Sequence, residues 1–236
     1  MTSPVAAVDE LDPMTAALER MRIELEKMHP NGASSSEAGW QERKSGQTRL
    51  ALLDAAVKCL SMSGYARTTT QLVAASAKIS RGAMLHHYAT KADLISSVID
   101  HIMYRRMETF YGEVMKLSDK EREEEGQGIE IYWNTVQTPE YQAFMELSVA
   151  SRTDEELRKV FDKKAQAFDA FWFKQLPAFF PEWADQPPEK LSLARDLIVV
   201  ALEGLYLNRR IMAKRDRRMA VRAFINDAIL MLRDRN

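Results

Sequence analysis

Residues 49–99 read RLALLDAAVKCLSMSGYARTTTQLVAASAKISRGAMLHHYATKADLISSVI, and this stretch decides the fold. Its first part carries an apolar stripe at helical spacing, formed by Leu50, Leu53, Val57 and Leu60. Gly64 then ends this helix, because glycine is favoured just past the last helical turn. A short helix after Thr69, a break at residues 78–80 and a second short helix from Arg81 to about Tyr88 follow. This succession predicts a helix-turn-helix.

Each part of the predicted helix-turn-helix has the residue types that the motif needs. The first short helix braces the second, so its inward positions carry small or aliphatic side chains, namely Val73, Ala74 and Ala77. Ile79 fills the turn, and Ser80 is placed to cap the second helix. Met84 and Leu85 include the inward anchors of that second helix.

The outward side of the second helix suits the major groove of DNA. Arg81 can bond two guanine acceptors at once, while the small Gly82 and Ala83 let the backbone approach base edges. Residues 40–91 also carry eight basic and two acidic residues, a net charge of +6, although the whole chain has a net charge of −1. Such a basic segment favours a surface for a polyanion, with chance clustering on a solvated face as the alternative.

The same stretch resembles the N-terminal domain of the TetR family of bacterial transcriptional repressors. The matching residues keep their order and spacing over about fifty positions, and they are Gly64, Tyr65, Thr68, Thr69, Val73, Ala74, Ala77, Ile79, Ser80, Gly82, Met84, His87, Tyr88 and Lys91. The resemblance implies a dimer that reads a near-palindromic operator, with base contacts from Thr70, Gln71, Arg81, Gly82, Ala83 and His86. It implies phosphate contacts from Thr69, His87, Tyr88 and Lys91.

Two positions depart from the pattern of the family. Lys78 stands where family members usually have glycine. Either this lysine adopts a left-handed conformation at a cost of about 1–2 kcal/mol, or the turn differs slightly; it could also add a phosphate contact. Leu85 stands where the family usually has tyrosine, so a contact made by that hydroxyl is lost here.

The rest of the chain predicts an all-α fold around this domain. Residues 1–44 form an extension with a short amphipathic helix at 14–28 and a flexible linker, and residues 45–92 form the three-helix DNA-binding domain. Arg43 and Lys44 precede the first helix of that domain, either as a DNA-binding arm or as two solvated charges. By resemblance, residues 93–236 form a helical domain for ligand binding and dimerisation.

The resemblance implies roles for two further sets of residues. The dimer interface would be formed by the last two helices, through Leu193, Leu197, Val200, Ala201, Gly204, Leu207, Phe224 and Ala228, and the alternative is a plain core-facing stripe. An apolar ligand pocket would draw on Met103, Met107, Phe110, Trp133, Phe144, Met145, Phe168, Phe171 and Trp172, most of which are equally suited to an ordinary core. The expected function is a repressor that a small apolar or amphipathic effector releases from its operator.

Composition and the remaining motifs bear on the localisation of the protein and on whether it is an enzyme. The chain has 236 residues, 46% of them hydrophobic, a single cysteine and no apolar run long enough to span a bilayer, so we expect a cytoplasmic protein. Its four histidines lack the spacing of a metal site, Cys59 lies on a core stripe, and phosphate-cradling glycine motifs are missing, so we expect no enzyme and no cofactor. The alternative is an interaction or assembly module, with residues 14–28 as a partner helix.

Overall fold

The computed structural model describes residues 13–29, 40–118, 126–180, 183 and 185–234. All regular structure in these ranges is helical, which confirms the predicted all-α class. The helices are α1 (Pro13–Met28), α2 (Trp40–Ser63), α3 (Thr70–Ser76), α4 (Arg81–His87), α5 (Lys91–Lys116), α6 (Gln127–Thr135), α7 (Pro139–Ser151), α8 (Glu155–Phe179), α9 (Pro188–Leu207) and α10 (Arg215–Asp234).

The chain divides into two compact units. The N-terminal unit comprises Arg20–Glu108 and Thr138–Asp169, and the C-terminal unit comprises Met1–Glu19, Thr109–Gln137 and Ala170–Asn236. The boundaries of these units differ from the predicted domain boundaries at residues 44 and 92. The functional division into 1–44, 45–92 and 93–236 stays a prediction.

A continuous apolar core holds the N-terminal unit together. Helix α2 packs along α7 and against α3. Five of the most deeply buried side chains of this core come from four helices, α2, α4, α5 and α7, and they are Leu53, Met84, Leu94, Ile102 and Leu147. Full burial of one such side chain contributes about 1.5–3 kcal/mol, so this core is what fixes the two short helices α3 and α4. Cys59 is a small buried residue of the same core, as its sequence position predicts.

A second core lies in the C-terminal unit, where α9 packs against α10. Its buried side chains include Ile129, Trp183, Leu202, Leu205 and Ile225. The sequence predicts that the second-to-last helix runs to about residue 213. In the structure this helix, α9, ends at Leu207. It ends there because Asn208 takes the C-cap position and its side-chain Nδ2 donates to the Gly204 carbonyl at 2.8 Å.

The N-terminal extension differs from its prediction in one respect. Helix α1 forms as expected, and its Ala17 and Met21 are fully buried. Residues 1–12 and 30–39, which include the predicted linker, lie outside the described residues. Helix α2 begins at Trp40, so Arg43 and Lys44 are exposed residues inside a helix, and the expectation that they precede this helix is wrong. Among the described helices, none is long and apolar enough to cross a membrane.

The turn between α3 and α4 contains a strained lysine. Lys78 has a φ of +56°, the left-handed conformation that the sequence raised as one of its alternatives. Its backbone N–H donates to the Ala75 carbonyl at 3.1 Å, and the next N–H, from Ile79, donates to the Ala74 carbonyl at 2.9 Å. These two bonds close the turn, so the conformation persists although a side chain disfavours it.

We expect Lys78→Gly to raise the free energy of unfolding by about 0.5–1 kcal/mol. Glycine removes the left-handed penalty of about 1–2 kcal/mol, and its extra freedom in the unfolded chain offsets part of that gain. Urea denaturation followed by circular dichroism measures the change. Lys78→Ala is the matched control, because it removes the long side chain and keeps the Cβ atom. An equal gain in both variants would show that the strain is not in the backbone.

Candidate nucleic-acid interface

Two short capped helices form the framework of the interface. The Thr69 hydroxyl oxygen accepts from the Leu72 backbone N–H at 3.1 Å and caps α3. The Ser80 hydroxyl oxygen accepts from the Ala83 N–H at 3.2 Å and caps α4, as its position in the sequence predicts. A helix of seven residues is only marginally stable alone, so the Ser80 cap and the buried Met84 are what stabilise α4 in its place.

The predicted base-facing residues share the surface of α3 and α4. Gln71, Arg81, Gly82 and His86 are exposed, and Thr70 and Ala83 are half-buried. A Cβ atom built on Gly82 would have no neighbour within 4 Å, so this position opens onto free space. We call Arg81, Gly82, Ala83 and His86 the reading face. Leu85 also lies exposed beside it, at 44% of its surface, so Met84 alone anchors the helix inward.

The predicted phosphate contacts separate into two groups. Thr69, Lys78 and His87 are exposed or half-buried and stay available to a ligand. Tyr88 is only 4% exposed, and burial raises the pKa of its hydroxyl. Tyr88 is therefore a core residue, and the expected contact of its side chain with phosphate is contradicted by this burial.

The phosphate contact of Lys91 stays a prediction, although one of the three N–H donors of its ammonium group already bonds within the domain. Lys91 Nζ donates to the Tyr65 carbonyl oxygen at 2.8 Å and lies 3.9 Å from the centre of the Tyr65 ring. Partial burial lowers the pKa of this lysine. Its place at the start of α5 therefore ties that helix to the α2–α3 loop, and the sequence could not separate this role from a phosphate contact.

Tyr65 in turn ties the α2–α3 loop to the α7–α8 region of the same unit. The Tyr65 backbone N–H donates to Glu146 Oε1 at 2.6 Å, and its hydroxyl donates to Asp154 Oδ2 at 3.0 Å. Burial and the bond to Asp154 raise the pKa of Tyr65 to about 12. Gly64 is required beside it, since its φ is +80° and an added Cβ atom would lie 2.8 Å from Glu146 Oε1. We call Tyr65, Lys91, Glu146 and Asp154 the tyrosine clamp.

The histidines do not gather into a site. Burial lowers the pKa of His87, and the rings of His86 and His87 lie edge to face with centres 5.5 Å apart. His101 is buried, and its Nε2 lies 2.7 Å from Asp54 Oδ1, a contact that joins α5 to α2. Within the described part of the chain, no group of three His, Cys, Asp or Glu side chains is placed to hold a metal ion.

An apolar face runs along the last two helices. Five of the predicted dimer residues are exposed, namely Leu193, Leu197, Val200, Leu207 and Phe224. Ala201, Gly204 and Ala228 between them are half-buried, and a Cβ atom on Gly204 would meet nothing within 4 Å. These positions are therefore on the surface, and the alternative of a core-facing stripe is wrong for the five exposed residues.

The nine predicted pocket residues are split between the two units. Met103, Met107, Phe144, Met145 and Phe168 belong to the N-terminal unit, where the first two are core residues and Phe144 and Phe168 flank the Arg106 guanidinium at 4.4 and 5.4 Å. Phe110, Trp133, Phe171 and Trp172 belong to the C-terminal unit, where the Phe110 and Trp172 ring centres are 4.6 Å apart. A pocket formed by these nine residues stays a prediction.

Sequence reasoning missed a cavity in the C-terminal unit that arginines dominate. Its lining contains Trp133 from the predicted set, together with Gln137, Arg209, Arg215, Arg218, Met219 and Arg222. The signal that could have found it is residues 209–222, which hold seven basic residues and one acidic residue. The net charge of the whole chain, −1, gives no sign of this cluster.

A short helix, a closed turn and a second short helix with Arg81 exposed on it form a helix-turn-helix, a motif that many DNA-binding domains use. Residues 52–98 match the family model described as "Bacterial regulatory proteins, tetR family". This match covers about a fifth of the chain, so residues 52–98 are similar to the N-terminal domain of TetR-family regulators.

Known relatives and structures are similar to the chain over longer ranges. An uncharacterized HTH-type transcriptional regulator of Mycobacterium tuberculosis (strain H37Rv) is 27% identical over 119 residues, which cover 50% of this chain and 60% of the relative. The chain thus matches less than two thirds of the length of the curated relatives. A Streptomyces coelicolor member of the TetR family has a TM-score of 0.53 at 21% identity, covering 77% of this chain and 97% of its own.

Two further solved structures share the fold. A transcriptional regulator from Rhodococcus sp. Rha1 has a TM-score of 0.58 at 17% identity, covering 78% of this chain and 96% of its own. NalD from Pseudomonas aeruginosa has a TM-score of 0.50 at 17% identity, covering 79% of this chain and 96% of its own. These likenesses confirm an all-helical protein with an N-terminal helix-turn-helix and a C-terminal helical domain.

Arg81 and Lys91 should differ in their effect on stability. Lys91→Ala removes a bond to a backbone carbonyl, so we expect the free energy of unfolding to fall by about 0.5–1.5 kcal/mol. Arg81→Ala removes an exposed side chain on the reading face, so we expect a change within about 0.5 kcal/mol. Urea denaturation of both variants beside the unmodified chain measures the contrast. A Lys91→Ala variant as stable as the unmodified chain would rule out the tyrosine clamp as a support of the domain.

Proposed function

We propose that this chain is a sequence-specific DNA-binding transcription regulator that inserts α4 into the major groove. The observation that carries the proposal is the reading face: Gly82 and His86 are exposed on the side of α4 opposite the buried Met84, and Arg81 is exposed at the first position of the helix. A helix held from behind presents its outer side chains in a fixed register, which base recognition needs.

Each residue of the reading face has a distinct contribution to recognition. Arg81 can donate two parallel hydrogen bonds to the O6 and N7 atoms of one guanine. The open space at Gly82 allows the α4 backbone to approach the base edges, and the Ala83 methyl can contact a thymine methyl. Thr69, Lys78 and His87 lie around this face and would fix its register through phosphates.

The operator would be bound by a homodimer through the apolar face of α9 and α10. Scattered apolar residues are normal on a surface, but here several lie on two packed helices of one unit. A two-fold interface needs such a self-complementary surface, and the small Ala201 and Gly204 permit close helix approach. Two reading faces in one dimer would contact half-sites about one helical turn apart, roughly 34–36 Å.

Regulation would be repression that a small effector relieves. NalD, which shares this fold, is described as the secondary repressor of the MexAB-OprM multidrug efflux pump. Helix α5 begins at Lys91 in the tyrosine clamp, and its residues are shared between both units. An effector that favours one conformation of this helix would change the spacing of the reading faces and lower the population of the form that binds DNA.

Arg81→Ala should relax the base preference of the chain at one position of its operator. An operator selected from a random DNA pool and its single-base variants are labelled, and dissociation constants are measured by fluorescence anisotropy at one fixed salt concentration. We expect the discrimination at one base pair to fall by about 1–3 kcal/mol, because the bidentate contact to guanine is lost.

Lys58→Ala is the matched control for this experiment, since it removes an exposed positive charge on α2 outside the reading face. It should keep every base preference. The proposal fails if Arg81→Ala retains the full discrimination of the unmodified chain, or if that chain binds no oligonucleotide at low salt.

Val200→Asp and Phe224→Asp should each shift the chain from dimer to monomer in sedimentation velocity. Both side chains are more than two-thirds exposed, at 70% and 71%, so neither change disturbs the core of the isolated unit. In a dimer, however, each would bury an unpaired carboxylate. Met62→Asp is the control, because Met62 on α2 is 74% exposed and lies outside the proposed interface. Unchanged sedimentation of both interface variants would contradict the assignment.

A further inference from the structure

A cavity of about 310 Å³ lies in the C-terminal unit, apart from the helix-turn-helix residues. Helix α6 and the residues just after it supply Trp133 and Gln137, and the α9–α10 turn supplies Arg209. Helix α10 completes the lining with Arg215, Arg218, Met219 and Arg222. A volume near 300 Å³ is at the lower end of the range for small-molecule sites.

The lining of this cavity is strongly positive. Four of its seven lining residues are arginines, which remain charged at any physiological pH. The carboxylate that contacts this set among the described residues is Glu130, whose Oε2 pairs with Arg222 Nη1 at 2.8 Å. Four guanidinium groups around one cavity repel each other, and a bound anion with more than one negative charge would relieve that repulsion.

Two of the arginines are held in place by the backbone. Arg218 Nη1 donates to the carbonyl oxygens of Met212 and Ala213, both at 2.7 Å. Arg209 Nη1 donates to the Tyr206 carbonyl at 2.9 Å, and its guanidinium lies 3.8 Å from the centre of the Tyr206 ring. A guanidinium has five N–H donors, so these bonds fix the side chains and leave further donors for a ligand.

Arg222 supplies an independent sign of a missing partner. Its Nε atom is buried and has no hydrogen-bond acceptor, although its Nη1 is paired with Glu130. A buried donor without an acceptor is costly, and proteins rarely leave one unless a ligand or solvent molecule completes it. The Arg222 guanidinium also lies 5.1 Å from the centre of the Trp133 ring, so an indole and a guanidinium plane stand together in the cavity lining.

We propose that this cavity binds a small molecule that carries a phosphate group and a flat aromatic ring, as a nucleoside monophosphate does. A phosphate monoester has about two negative charges and three terminal oxygens, which suit bidentate hydrogen bonds from several arginines. A carboxylate would offer one charge to four cations. Aromatic bases stack on indole rings and on guanidinium planes, and the Trp133–Arg222 pair offers both. Binding at this cavity is independent of the DNA-reading role of the chain.

The test uses the full chain without DNA in buffer of 150 mM ionic strength. Isothermal titration calorimetry with AMP, inorganic phosphate and adenosine as separate probes compares the whole ligand with its two parts. We expect AMP to bind at least about 10-fold more tightly than either part, because the arginines hold the phosphate and Trp133 holds the ring.

Matched arginine variants locate the site. Arg215→Ala removes an exposed lining arginine, and Arg217→Ala removes an exposed neighbour on α10 that does not line the cavity. We expect Arg215→Ala to weaken AMP binding about 10-fold or more and Arg217→Ala to change it less than about twofold. Arg222→Lys keeps the charge and removes the planar fork, so it should also weaken AMP binding about 10-fold.

Urea denaturation of each variant verifies that it folds. Three results would overturn the proposal. They are absence of AMP binding up to millimolar concentration, equal affinity for AMP and inorganic phosphate, which would indicate an adventitious ion only, and equal loss in Arg215→Ala and Arg217→Ala.

Discussion

The burial of Met84 is the contact on which the DNA-binding surface depends. Helix α4 has only seven residues, and an isolated helix of that length does not persist in water. Met84 places one side of α4 in the core that α2, α5 and α7 share, and the Ser80 cap satisfies the first backbone N–H groups. With that side anchored, the opposite side must face solvent, which is why Gly82 and His86 are exposed, while Arg81 is exposed at the first position of α4.

The tyrosine clamp extends this support beyond the helix-turn-helix. Tyr65 receives the Lys91 ammonium on its carbonyl oxygen and contacts Glu146 and Asp154 through its own N–H and hydroxyl. The α2–α3 loop, the start of α5 and the α7–α8 region of the N-terminal unit are thereby joined through one residue. A shift of α7 or α8 would thus be transmitted to the loop before α3, which gives the proposed regulation a physical route within this unit.

The reading of the sequence was most accurate where local chemistry decides the structure. Ser80 as a cap, Met84 as an anchor and the exposed Arg81 follow from residue type and spacing. The left-handed turn at Lys78 was one of the alternatives that the resemblance raised. The reading failed at Tyr88 because a tyrosine can bind phosphate or pack inside its own domain, and only the tertiary neighbours decide. Arg43 and Lys44 were misplaced because α2 begins several residues before its apolar stripe.

The C-terminal unit was harder to read for a different reason. Its cavity combines Trp133 and Gln137 with arginines that follow them by more than seventy positions, and such a combination has no local signature. The exposed face of α9 and α10 was identified by resemblance, since an apolar stripe alone does not distinguish a core from an interface.

Guanine N7 methylation interference on a selected operator tests the central claim most directly. If α4 reads the major groove through Arg81, methylation should block binding at guanines in two clusters about one helical turn apart, and the Arg81→Ala variant should lose the block at one guanine of each cluster. Binding that tolerates methylation of every guanine would contradict major-groove reading by Arg81.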